Sequence, residues 1–138
     1  MILRNPNSIR PWQHILDVLN GYLILVKKLY LEKNKQKFNG SYNFGPIDKK
    51  KYDVNHIVNE FFKILNVNKE KKLIKNRNIK KEKKILLLNS NKSKKILKWQ
   101  QKIKINKAIK LTAEWYNFYI NQNKNITLDQ IKNCKLFS

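Results

Sequence analysis

Apolar residues recur at helical spacing in three long stretches of this 138-residue chain. In the first, Ile15, Leu16, Leu19, Tyr22, Leu23, Val26, Leu29 and Tyr30 fall three or four apart, which predicts one apolar helical face. Pro11 suits the first turn of that helix, and the charged run from Glu32 to Lys37 ends it. Gly21 inside it costs about 1 kcal/mol against Ala, so its presence predicts close approach of another backbone. Val54, Ile57, Val58, Phe61, Phe62 and Leu65 predict a second amphipathic helix with Asp53 as its cap. Ile105, Ala108, Ile109, Thr112, Trp115, Tyr116 and Tyr119 line a third. No internal repeat is visible.

The intervening stretches carry turn and strand signals. Met1-Ile2-Leu3 reads as the tail of a strand whose beginning lies elsewhere. Asn5-Pro6-Asn7-Ser8 is turn chemistry, with Pro6 fixing its φ and the Asn and Ser side chains bonding nearby backbone. Asn39-Gly40 predicts a turn, Tyr42-Asn43-Phe44 a short strand, and Gly45-Pro46 its end. Residues 66–84 are rich in Lys and Asn, without clear period, with room for a short strand at Leu73-Ile74. An extended run, Ile85 to Leu88, meets a polar cap at Asn89 and then a two-turn helix ending at Trp99. Residues 121–138 read as a polar tail in which Thr127 caps one more weak helix carrying Leu128, Ile131 and Leu136.

Composition narrows the class. Hydrophobic residues make up 41%, enough for the core of one small domain. The single cysteine, Cys134, cannot form an intramolecular disulfide, which favours a reducing compartment; a cytoplasmic location is expected. No signal peptide opens the chain, and the apolar run Tyr22–Tyr30 is too short to span a bilayer, so no membrane association is expected. A net charge of +22 ordinarily points to a polyanionic partner. Here the basic residues are 28 Lys and only 3 Arg, and Asn and Ile are also abundant. Lys, Asn and Ile share A/T-rich codons, so nucleotide bias explains the excess without binding. Readers of nucleic acid usually need Arg for bidentate contacts. A solvated lysine surface is therefore the favoured reading, and nucleic acid is not the expected partner.

Candidate chemistry concentrates near the start. Arg10 is one of three arginines in a chain where lysine is the default cation, and its guanidinium can hold a diphosphate bidentately. Trp12 either walls a ligand pocket or packs the helix start. His14, in the first turn beside Ile15, reads as structural, and with His56 far away and one Cys no zinc set assembles. Asn43 offers both a donor and an acceptor. Gly21, Gly40 and Gly45 are too scattered for a dinucleotide fingerprint.

The run Arg4-Asn5-Pro6-Asn7-Ser8-Ile9-Arg10-Pro11-Trp12-Gln13-His14, continuing through Gly21-Tyr22-Leu23, resembles the signature of the CDP-glucose 4,6-dehydratase family of extended short-chain dehydrogenases. Tyr42-Asn43-Phe44-Gly45-Pro46 resembles that group's edge strand. Residues 85–99 resemble its LxLDxSKAxxxLGW stretch, with Asn89 in place of Asp and Lys98 in place of Gly. Lys110 to Tyr116 resembles its terminal KTxxWY helix. The resemblance covers residues 2–119 and matches only the C-terminal part of the family.

That resemblance implies an α/β fold: the C-terminal substrate-binding lobe of an extended Rossmann-type dehydratase, mostly helical with a few short strands and without the nucleotide-binding core. The lobe would span 1–120, followed by a polar tail over 121–138. The family's full enzyme uses NAD and converts CDP-glucose to CDP-4-keto-6-deoxyglucose. In relatives the matching arginine reaches the nucleotide diphosphate, the Asn after the strand Tyr faces the nucleotide-sugar, and an acidic residue before the LxLD stretch meets the ribose or base. With Trp12 on the pocket wall, the resemblance makes Arg10, Asn43, Trp12 and Glu82 substrate-binding candidates. No Tyr in this chain is followed four residues later by Lys, so the family's catalytic pair is missing. The chain alone is expected to carry neither cofactor nor catalysis. The implied partners are a nucleotide-sugar, a separate N-terminal half and a homo-oligomeric assembly. Two alternatives remain open: a small basic helical protein that binds nucleic acid or an anionic surface, and a non-functional gene remnant.

Overall fold

The computed structural model describes residues 2–46, 50–67, 72–73 and 83–134, the pair 72–73 by backbone alone. The elements run β1 (Ile2–Leu3), α1 (Ile15–Leu31), a 3-10 turn (Lys35–Phe38), α2 (Val54–Ile64), β2 (Lys72–Leu73), a π-helical turn (Ser93–Leu97), α3 (Ile105–Gln122) and α4 (Thr127–Cys134). The described chain is thus mostly helical, with one two-stranded parallel ladder pairing Ile2 with Lys72 and Leu3 with Leu73.

Two apolar clusters form the core. Phe38, Phe44, Leu97 and Trp99 make the larger, with Ile24, Leu25, Leu29 and Tyr42 packed around it. Leu16, Ile103 and Ala108 make the smaller, joined by Leu111, Ile131 and Cys134. Asp17 fastens the two clusters together. Although a carboxylate, it is fully buried. Its oxygens accept from the backbone amides of Lys102 (2.9 Å) and Ile103 (3.0 Å), and its carbonyl accepts from the Trp99 indole N–H (3.0 Å). A buried carboxylate survives only when its lone pairs are filled in this way.

The helix ends follow local chemistry. Asp53 caps α2 by accepting from the His56 amide at 2.7 Å. α1 stops at Leu31, where the Glu32 amide still reaches the Lys28 carbonyl and the Lys28–Glu32 ion pair closes at 2.7 Å. The hydrogen bond from Lys28 holds the exposed Glu32 carboxyl below its ordinary pKa. Lys98 ends the π-helical turn at φ 59°, a left-handed conformation that favours glycine. The helix expected from Thr127 forms as α4 and folds back. Asn125 accepts from the Thr127 amide (2.9 Å), the Trp115 indole donates to the Thr127 hydroxyl (2.9 Å), and the Gln130 amide donates to the Leu111 carbonyl (2.7 Å).

Two expectations are corrected. Tyr42–Phe44 joins no ladder, because its backbone is claimed by side chains. The Ser93 hydroxyl donates to the Asn43 carbonyl, and Ser90 bonds both the amide (2.7 Å) and the carbonyl (3.2 Å) of Gly45. Gly21 makes room for a ring, not a backbone: a methyl group there would sit inside the Phe44 side chain. Finally, α1 turns Leu16, Asp17, Asn20 and Gly21 inward. Ile15, Leu19, Tyr22, Leu23, Val26 and Tyr30, which make up most of the apolar face read from the sequence, are exposed.

Candidate functional site

The candidate site grows from the turn that precedes α1. The Ser8 amide bonds back to the Asn5 carbonyl (3.1 Å). Ile9 is then wedged between two extended segments, antiparallel to Asp53 and parallel to Ile85. Its amide donates to the Lys84 carbonyl (2.8 Å), and its carbonyl accepts from the Leu86 amide (3.1 Å). Pinning both sides of Ile9 fixes where Arg10 leaves the backbone. The Arg10 Nη1 then donates to the carbonyls of Ile9 (2.8 Å) and Lys83 (3.2 Å), which orients the guanidinium.

Trp12 is held by its indole N–H on the Tyr52 carbonyl (3.0 Å). Gln13 donates to the Phe44 carbonyl, tying the turn to the 43–45 segment. His14 starts α1 by accepting from the Leu16 amide at Nδ1 (3.3 Å). Burial pushes its pKa down, partly opposed by the nearby Asp17 carboxylate. A neutral imidazole is what this cap requires, since a protonated Nδ1 would have no lone pair to offer.

Arg10 and Trp12 line one cleft of about 310 Å³, together with Pro46, Lys50, Lys51, Tyr52 and Gln101. A second space of about 420 Å³ adjoins it, sharing Ile9, Lys50, Lys51 and Tyr52 and adding Asn7, His56 and Lys84. The Lys50 ammonium sits 5.3 Å from the Tyr52 ring centre, and the Tyr52 and His56 rings lie 4.9 Å apart. Across the two adjoining spaces lie four cations, the Trp12, Tyr52 and His56 rings and the Asp53 carboxylate. Such an arrangement suits an anionic group attached to a planar one.

Asn43 lies outside this lining. Its side chain is exposed, and its backbone carbonyl is taken by Ser93. Glu82 falls outside the described residues. Lys50, Lys51, Tyr52, Lys84 and Gln101 were not legible beforehand, because one more lysine carries no contrast in a chain with 28 of them.

The residues present do not fit a dinucleotide. Gly21 is packed under the Phe44 ring, Gly40 turns the chain at φ 110°, and Gly45 lies against Leu88 and Ser90. None is left to let a backbone approach a pyrophosphate. Asp53, beside the cleft, is committed to capping α2.

No family model matches the chain. Over 120 residues, 87% of its length, it is 32% identical to the CDP-glucose 4,6-dehydratase of Salmonella typhimurium strain LT2. It covers 33% of that protein, so the chain spans about a third of the length of the curated relative it matches. No described helix is long and apolar enough to cross a membrane. The chain is a distant and partial relative of a sugar-nucleotide dehydratase.

Proposed function

We propose that this chain is the substrate-binding portion of a CDP-glucose 4,6-dehydratase-like enzyme, holding the nucleotide diphosphate in the Arg10–Trp12 cleft. The observation that carries the reading is the convergence of Arg10 and Trp12 on one cleft with Lys50 and Lys51. Arg10 would grip the diphosphate, with the lysines supplying diffuse positive charge and Trp12 or Tyr52 a face for the base. Asn43 and Glu82 remain candidates for further contacts to the nucleotide-sugar. Residues 1–120 form the binding lobe in this reading.

The acid–base residues and NAD site of the dehydratase reaction belong, in this reading, to a complementary polypeptide corresponding to the other two thirds of the Salmonella protein. That polypeptide would cover the outward apolar face of α1 from Leu19 to Tyr30. The present residues bind and orient substrate; no redox step is assigned to them.

Calorimetric titration with CDP-glucose tests the binding claim. Saturable binding is expected, with affinity falling about tenfold or more in Arg10→Lys, because a lysine cannot reproduce the bidentate fork. Glucose 1-phosphate should bind more weakly than CDP. Binding that is indifferent to Arg10→Lys, or no binding of CDP-glucose at all, would remove the support for this reading.

A further inference from the structure

A second cavity, of about 260 Å³, lies between the start of α1 and the α3–α4 pair and shares no residue with the Arg10 cleft. We propose that it is a separate binding site for a small, uncharged, planar molecule bearing an amide-like donor and acceptor. The reasoning is independent of the dehydratase reading.

Charge decides the class first. The chain carries 31 Lys and Arg in 138 residues. Yet among the described residues lining this cavity there is no Lys, Arg, Asp or Glu. The site is open on the side of Ile15, Thr112 and Thr127, so a carboxylate or phosphate entering it would shed part of its water with no ion to replace it. An uncharged molecule meets no such cost. The walls are the aliphatic side chains of Ile15 and Leu16 and the Trp115 indole, a surface suited to a flat apolar ring.

The polar groups then narrow the shape. His14 spends Nδ1 on the Leu16 amide, which leaves the proton on Nε2. Nε2 has no hydrogen-bond partner among the described residues, although His14 is only 6% exposed. Thr127 accepts from the Trp115 indole and keeps its own hydroxyl proton to donate. Gln130 uses its amide nitrogen on the Leu111 carbonyl, leaving Oε1 as an acceptor. Two donors and one acceptor around an apolar floor match a primary amide on an aromatic ring. At about 260 Å³ the cavity falls just below the usual ligand-site range, roughly 300 Å³ and upward, which limits the ligand to one ring and its substituent.

The test uses the full chain, labelled with nitrogen-15, and benzamide as the probe. Benzamide should shift the Trp115 indole N–H resonance saturably while leaving the Trp12 indole in place. Benzoate, equal in size but charged, should bind at least tenfold more weakly. Thr112→Leu fills the cavity from a solvent-exposed position on α3 and should weaken benzamide at least tenfold. The lost hydroxyl bonds only the Ala108 carbonyl of the same helix, so the fold should persist. The proposal is overturned if benzamide gives no saturable shift up to its solubility limit, or if benzoate binds as well. Movement of Trp12 in place of Trp115 overturns it too. The benzoate comparison needs no variant, so misfolding of Thr112→Leu would not rescue it.

Discussion

α1 and α3 carry similar apolar periodicity and bury it to different extents, although Thr112, Tyr116 and Tyr119 of the α3 stripe are also exposed. α3 buries Ile105, Ala108, Ile109 and Ala113, the first three of which its pattern marks as inward. α1 buries one residue of its apolar stripe, Leu16, together with Asp17, Asn20 and Gly21, while Ile15 and Val26 are each 60% exposed and Tyr30 is 79% exposed. A helix does not ordinarily turn a stripe of large apolar side chains to water. The inward side of α1 combines apolar packing by Val18, Ile24, Leu25 and Leu29 with shape and hydrogen bonding: Gly21 admits the Phe44 ring, and Asp17 holds the 99–103 segment. Hydrophobicity is then left over on the other side, where a further polypeptide can bury it. The lesson is that periodicity identifies a helix and its apolar stripe, but not which of two partners the stripe serves.

Substitutions can break this comparison, and the largest effect is expected at Asp17. Asp17→Ala orphans the amides of Lys102 and Ile103 in the core and should cost on the order of 3–5 kcal/mol in urea unfolding. Asp17→Asn keeps one carbonyl oxygen and should cost less. The paired test of the two helices comes next. Ile109→Ala on α3 should cost about 2–4 kcal/mol, and Leu23→Ala on α1 no more than about 0.5 kcal/mol in the isolated chain. Equal losses would mean that both stripes are buried and would contradict the account of α1. Gly21→Ala forces a methyl into the Phe44 ring and should cost about 1–3 kcal/mol, despite the better helix propensity of alanine.

Smaller effects sharpen the picture at the helix ends. Lys98→Gly relieves a left-handed lysine and should stabilise by about 0.5–1 kcal/mol, visible as a higher melting temperature. The smallest effect is the pH dependence from His14. Its folded pKa lies below the ordinary 6.5, so below that value the unfolded chain takes up a proton more readily than the native one. Stability should therefore fall as pH drops through about 6.5 and level off below the folded pKa. Asn cannot titrate but can still cap, so His14→Asn should flatten this part of the profile.

Much of the helical frame was legible in the sequence, because spacing and capping are local. The Asp53 cap, the end of α1 in the charged run and the short helix before Trp99 all follow from neighbouring residues. What was not legible depends on distant partners. Tyr42–Phe44 has a strand-like composition, but whether it pairs depends on Ser90 and Ser93, far along the chain. Asp17 reads as an ordinary helix carboxylate until the amides of 102 and 103 arrive. At the candidate site, Arg10 stood out because arginine is rare here, and Trp12 because it sits beside Arg10. Lys50, Lys51 and Lys84 were hidden by their abundance. The fold-back of α4 was equally hidden, since it depends on the Trp115–Thr127 and Gln130–Leu111 bonds.

The most direct test of the central claim is sedimentation of this chain mixed with the separately expressed remaining two thirds of the Salmonella dehydratase. The account predicts a one-to-one complex that Leu23→Asp with Val26→Asp abolishes, while the same double substitution leaves the melting temperature of the isolated chain nearly unchanged. Absence of a complex, together with a large drop in that melting temperature, would show that the α1 stripe belongs to this chain's own core and would contradict the account.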